Sequence, residues 1–124
     1  MQVETIKGSV ASGKTTELLK TLQEFSFDPK EVVMITEDSK NNLMNLAKYN
    51  NLKVIPKHVY NILELYNSYE QMLEQIKLEV PEVKMVLIDS PAVNGMAYAS
   101  AVNRIFGTDV KVIMSVQVPR RNGY

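Results

Sequence analysis

The chain has 124 residues, 45% hydrophobic and 23% charged, proportions of a folded globular chain that argue against disorder. Its 14 basic and 14 acidic side chains cancel, which removes the strongly basic surface that tight non-specific nucleic-acid binding draws on but leaves room for a local patch. It contains no cysteine, so disulfides, cysteine-zinc sites and thiol catalysis are excluded.

Gln2 to Lys7 reads as a short strand, β-branched at Val3, Thr5 and Ile6. No apolar stretch approaches ~18 residues and no basic leader precedes one, so neither a signal peptide nor a membrane span is expected. A cytoplasmic location is the default. Next comes Gly8-Ser9-Val10-Ala11-Ser12-Gly13-Lys14-Thr15, a complete G-x-x-x-x-G-K-[ST] loop between a strand and a helix, the setting the motif requires. Glycines at its two ends allow a tight turn with amides aimed inward, and the helix that follows adds its positive end. The nucleotide-binding stretch is Gly8 through Thr16, with Lys14 reaching the β- and γ-phosphates and the Thr15 hydroxyl a ligand of Mg²⁺.

The helix from Thr15 to Glu24 has Leu18, Leu19 and Leu22 on one face and should end near Phe25–Asp28, before Pro29. Glu31 to Thr36 is a continuous apolar run, as in a strand covered on both faces. Ser39 or Asn41 can cap the next helix, which carries Leu43, Leu46 and Ala47 and ends at Asn50-Asn51. Leu52 to Ile55 reads as a short edge strand stopped by Pro56. Asn61 or Ser68 starts a longer helical region whose apolar side is Leu65, Met72, Leu73, Ile76 and Leu78, up to Pro81. Lys84 to Ile88 is a buried strand ending on Asp89, Met96 to Phe106 a helix closing on Gly107, and Val110 to Val118 the last strand. Alternating strands and helices predict a three-layer α/β/α P-loop domain spanning 1–124, with a mainly parallel sheet of about five strands.

Asp89 follows four apolar residues, the pattern of a Walker B acid that holds Mg²⁺ beside Thr15; the alternative is an N-cap before Pro91. Glu37 and Asp38 follow the second strand, so a carboxylate there could orient or deprotonate water, a task that suits a partly desolvated Glu37; either could instead cap the next helix. Gln117, at the end of the last strand, could contact the γ-phosphate or satisfy a strand end. Arg104 and Lys111 read as solvated charges, and His58, the only histidine, has no metal-ligand companion. The seven methionines read as core filler.

The order of phosphate loop, V-V-M-I-T-E-D, L-I-D-S and V-I-M-S-V-Q-V-P-R resembles the RecA/RadA/DnaB superfamily of motor ATPases across nearly the whole chain. The resemblance implies ATP and Mg²⁺ as cofactors, Glu37 as the catalytic glutamate, Asp89-Ser90 as the end of the Walker B strand, Gln117 as the γ-phosphate sensor and Arg120 as the arginine that follows it by three positions. It also implies hydrolysis, weak in an isolated monomer, completed by a basic residue of a neighbouring subunit, with Arg120 and Arg121 as candidates, and a role in DNA recombination or replication. A homo-oligomer or a larger protein partner is therefore expected; DNA is a further candidate partner that the net charge does not support. The implied strand order is edge, Glu37 strand, Asp89 strand, Gln117 strand, phosphate-loop strand, which leaves the last at an edge. Members usually continue for several more strands and carry DNA-binding loops, which are short or missing here. The run Ala11-Ser12-Gly13-Lys14-Thr15-Thr16-Glu17-Leu18-Leu19 also resembles the loop of thymidine kinases, which normally have a second acid after the Walker B aspartate and a cysteine zinc site; here Ser90 stands in that place and no cysteine occurs. A non-catalytic nucleotide-binding module is the third reading.

Overall fold

The computed structural model describes residues 3–8, 14–89, 95–107 and 109–117. Among the described residues five strands, β1 (Val3–Gly8), β2 (Val32–Thr36), β3 (His58–Asn61), β4 (Met85–Asp89) and β5 (Lys111–Gln117), alternate with α1 (Lys14–Leu22), α2 (Lys40–Tyr49), α3 (Ile62–Glu79) and α4 (Gly95–Phe106). The sheet order is β1-β5-β4-β2-β3, and every pairing is parallel. This is the order the sequence implied, with the phosphate-loop strand at one edge and all the C-terminal strand ends on one side.

The apolar strand runs are explained by cover on both faces. Val33, Ile35, Val86, Ile88, Val112 and Met114 point to one side and pack with Leu73 and Ile76 of α3 and Ala101 and Val102 of α4. Their neighbours Val32, Met34, Met85, Leu87 and Ile113 point to the other and meet Leu18, Leu19 and Leu22 of α1 and Leu43 of α2. A strand covered twice has no polar face to alternate with, so its sequence is a run. The fold class is thus α/β/α, as expected.

Helix ends follow local chemistry. The Ser39 hydroxyl accepts from the Asn42 amide at 3.1 Å and caps α2. At the other end of α2 Asn51 takes a positive φ of 57°, and Leu52 N–H bonds Ala47 C=O while Asn51 N–H bonds Lys48 C=O, a Schellman closure. Gly107 closes α4 at φ +93°, its N–H on Asn103 C=O. Both suggested starts of α3 are used: the helix begins after Asn61 and is broken at Ser68, whose backbone is non-helical.

Three expectations are corrected. α1 ends at Leu22, short of Glu24. Leu78 is 78% exposed and does not belong to the apolar side of α3. The edge strand lies after Pro56, at His58–Asn61, not at Leu52 to Ile55. The earlier segment is held by a side chain: the Gln23 amide donates to Val54 C=O at 2.6 Å and accepts from the N–H groups of Lys53 and Val54 at 3.1 and 2.9 Å. One glutamine thus satisfies the backbone that a ladder would have satisfied. Gln23→Ala should destabilise the protein by about 2 kcal/mol, the scale of two or three lost hydrogen bonds, read as a lower urea midpoint with unchanged m-value.

Candidate active site

Asp89 ends β4, whose four preceding residues are buried, so its backbone is fixed and its side chain leaves the sheet at the C-terminal edge. Parallel register sets its neighbours: Asp89 lies opposite Ser115 of β5, and Ile88 opposite Ile35 of β2, just before Thr36. Three hydroxyls reach the carboxylate. Thr15, in the first turn of α1, donates to Oδ2 at 2.6 Å, Thr36 donates to the same oxygen at 3.1 Å, and Ser115 donates to Oδ1 at 2.8 Å. Donors to an ionised acceptor make short, strong bonds. The positive end of α1, only one residue before Thr15, adds to the field. The N-cap alternative for Asp89 turns on residues 90–94, which lie outside the described residues; the described part of α4 begins at Gly95.

Thr15 and Asp89, paired from sequence, are therefore in direct contact. Ser9 to Gly13, Ser90, Arg120 and Arg121 lie outside the described residues, as do the side chains of Lys14 and Gln117. The backbones of Gly8 and Gln117 are register partners at the same sheet end as Asp89. Thr16 lies in the first turn of α1, half-buried. The sequence reading missed Thr36 and Ser115, the only polar members of the buried set among the described residues. Their signal was there: a hydroxyl inside an apolar strand run must find a partner.

Glu37 is exposed, so the partial desolvation expected of it is absent. Asp38 is half-buried, its N–H bonds the Thr36 hydroxyl at 3.1 Å, and its Oδ1 accepts from the Asn42 side chain at 2.8 Å, which helps close the start of α2. The same turn borders an open cavity of about 570 Å³ whose far wall is β3, with Lys40, His58 and Tyr60 among its lining. His58 Nε2 is buried there without a hydrogen-bond partner among the described residues. Among those residues no group of three or more His, Cys, Asp or Glu is placed to hold a metal ion. Arg104 pairs with Glu70 at 3.1 Å with both side chains well exposed, and Lys111 lies 5.1 Å from the centre of the Phe25 ring. Neither touches Asp89. No helix among the described residues is long and apolar enough to cross a membrane.

The family model described as thymidine kinase matches residues 1–114. The chain belongs to the thymidine kinase family. No match was found among curated proteins. Family membership supports a P-loop, nucleotide-binding kinase fold and favours the kinase reading over the motor-ATPase one. The loop, the acid-ended strand and the strand order are features on which the RecA/RadA/DnaB resemblance also rested, which is why the sequence alone pointed there.

Beside the cavity, Tyr60 donates to Glu79 Oε1 at 2.6 Å, and Gln75 donates to Oε2 at 3.0 Å. Hydrogen bonds from Gln75 and Tyr60 hold the Glu79 carboxyl below its ordinary value. Burial, together with that carboxylate, pushes the Tyr60 phenol well above its ordinary range. A proton held more tightly in the fold than in the unfolded chain stabilises below the unfolded pKa, near 10 for tyrosine, and is progressively lost as a source of stability above it. Stability should therefore fall as pH rises past about 10. Tyr60→Phe should flatten that fall, as measured by urea titrations across the range.

Proposed function

We propose that this chain is a nucleoside kinase that transfers the γ-phosphoryl group of ATP to the 5′-hydroxyl of a thymidine-class nucleoside. Family membership over residues 1–114 carries the reading. The contact between Thr15 and Asp89 supports it, as a hydroxyl and a carboxylate placed together can hold Mg²⁺. In the transfer, the acceptor oxygen forms a bond to the γ-phosphorus and the bond from that phosphorus to the β–γ bridging oxygen breaks, leaving ADP. The hydroxyl proton goes to a carboxylate.

The residues present fit Mg²⁺: a serine- or threonine-type hydroxyl in the first helical turn faces a strand-end carboxylate at 2.6 Å, a hard-oxygen pair suited to an ion that keeps most of its waters. Thr15 and Asp89 would hold it. The ion would supply neutralisation of the phosphate charge. Lys14 and the loop amides would stabilise the same charge, and Gln117 would lie against the γ-phosphate. Glu37 would take the proton, since Ser90 replaces the acid that normally follows the Walker B aspartate in this family. That replacement favours one competing reading, a nucleotide-binding module with no turnover. ATP hydrolysis of the RecA/DnaB kind, with a neighbouring subunit's arginine or with DNA, is the other.

One assay separates the three. Incubation with labelled ATP and Mg²⁺, with and without thymidine, should give acceptor-dependent label transfer. Acceptor-independent phosphate release would mean a hydrolase, and tight binding without either product would mean a binding module. Within the site, Lys14→Ala should abolish nucleotide binding measured by calorimetry. Glu37→Gln should keep binding but lower turnover by roughly 10²-fold, the scale of a lost general base. Asp38→Asn should be milder and act through stability, since its carboxylate is engaged with Asn42. Equal losses from Glu37→Gln and Asp38→Asn would reassign the base.

A further inference from the structure

The geometry points to Thr36 and Ser115 as positioning residues that fix the Asp89 carboxylate for the metal–nucleotide complex, with Thr36 also tying the Glu37-Asp38 turn to that carboxylate. The inference rests on the site proposed above and assigns work to two residues outside the phosphate loop and the Walker B strand.

A carboxylate on a rigid strand end still has a free side-chain torsion. Its two oxygens present the right lone pair to a ligand only if something stops that rotation. Here Ser115 holds Oδ1 from β5 on one side of β4, and Thr36 holds Oδ2 from β2 on the other. Both hydroxyls are essentially inaccessible, at 0% and 1% exposure. A buried hydroxyl donates its single proton where the site dictates, and in both cases that is Asp89. With Oδ1 and Oδ2 held from opposite strands, Thr15 can keep its proton on Oδ2 and turn a lone pair outward.

Thr36 has a second task that Ser115 lacks. Its oxygen accepts the Asp38 N–H at 3.1 Å while its proton is on Asp89. The backbone of the turn that carries Glu37 and Asp38 is thus set relative to the carboxylate through one atom. Outer partners of this kind orient the groups that contact a metal, and their removal typically costs roughly 10–100-fold in metal affinity.

The test measures binding, not turnover. Calorimetric titration of ATP with and without Mg²⁺ defines, for the parent, how much the ion tightens binding. Thr36→Val and Ser115→Ala should each shrink that enhancement roughly tenfold, the low end of the outer-partner range, and leave Mg²⁺-free affinity unchanged. Thr36→Ser, which keeps the hydroxyl, should restore the parent value. Ser115→Ala removes one atom from a strand and carries the test if Thr36→Val fails to fold. Equal weakening with and without Mg²⁺ would reduce both residues to structural support and overturn the inference, as would an undiminished enhancement in both variants. A parent whose ATP affinity ignores Mg²⁺, matching Asp89→Asn, would instead overturn the Thr15–Asp89 site itself, and this inference with it.

Discussion

A carboxylate at the end of a doubly covered strand is the constraint on which this chain turns. Asp89 leaves β4 where burial gives way to partial exposure, and an ionised group so placed needs donors from the protein. Those donors come from three separate elements: the first turn of α1, the end of β2 and the middle of β5. They converge only if β4 lies between β2 and β5, in parallel and in the observed register. A one-residue slip of β5 would turn Ser115 to the wrong face and put an apolar side chain against the carboxylate. The two apolar layers that hold the strands in place, Val86 and Ile88 on one side and Met85 and Leu87 on the other, therefore also hold the site.

Much of this fold was legible because its elements obey strong local rules. Apolar runs marked β2, β4 and β5, and the left-handed residues Asn51 and Gly107 marked the ends of α2 and α4. The edge strand was not legible. β3 is half-buried from His58 to Tyr60 and exposed at Asn61, so it lacks the continuous apolar run that revealed the central strands. The more strand-like segment just before it is extended, yet its hydrogen bonds go to the Gln23 amide, an arrangement that pairs residues 23 and 54 across sequence and leaves no periodic trace. Leu78 misled for a different reason: two residues after Ile76 it sits about 200° round the helix, so its apolar character, and not its spacing, suggested the buried side.

The site was half legible. Thr15 and Asp89 belong to patterns with fixed spacing, so motif and context placed them together. Thr36 and Ser115 belong to no pattern; each is a small hydroxyl in a run of branched aliphatics, and only the topology shows that both face one carboxylate. Class was harder still. A parallel sheet of this order offers every P-loop enzyme the same positions at its C-terminal edge, so a glutamate after β2 and a glutamine at the end of β5 do not separate a motor from a kinase. The match to the thymidine kinase family over residues 1–114 is what favours the kinase.

What distinguishes a kinase from a mere binder on this scaffold is the proton acceptor. Ser90 cannot serve as a carboxylate, and on the reading proposed above the turn after β2 would supply the acceptor. Of its two acids, Asp38 is committed, its carboxylate to Asn42 and its backbone to Thr36. Glu37 is exposed, and a ligand settling over it would exclude solvent from the proton transfer. On this reasoning the acceptor nucleoside is more than the group to be phosphorylated. By settling over the turn that Thr36 fixes, it would exclude water from Glu37 at the moment a proton must leave.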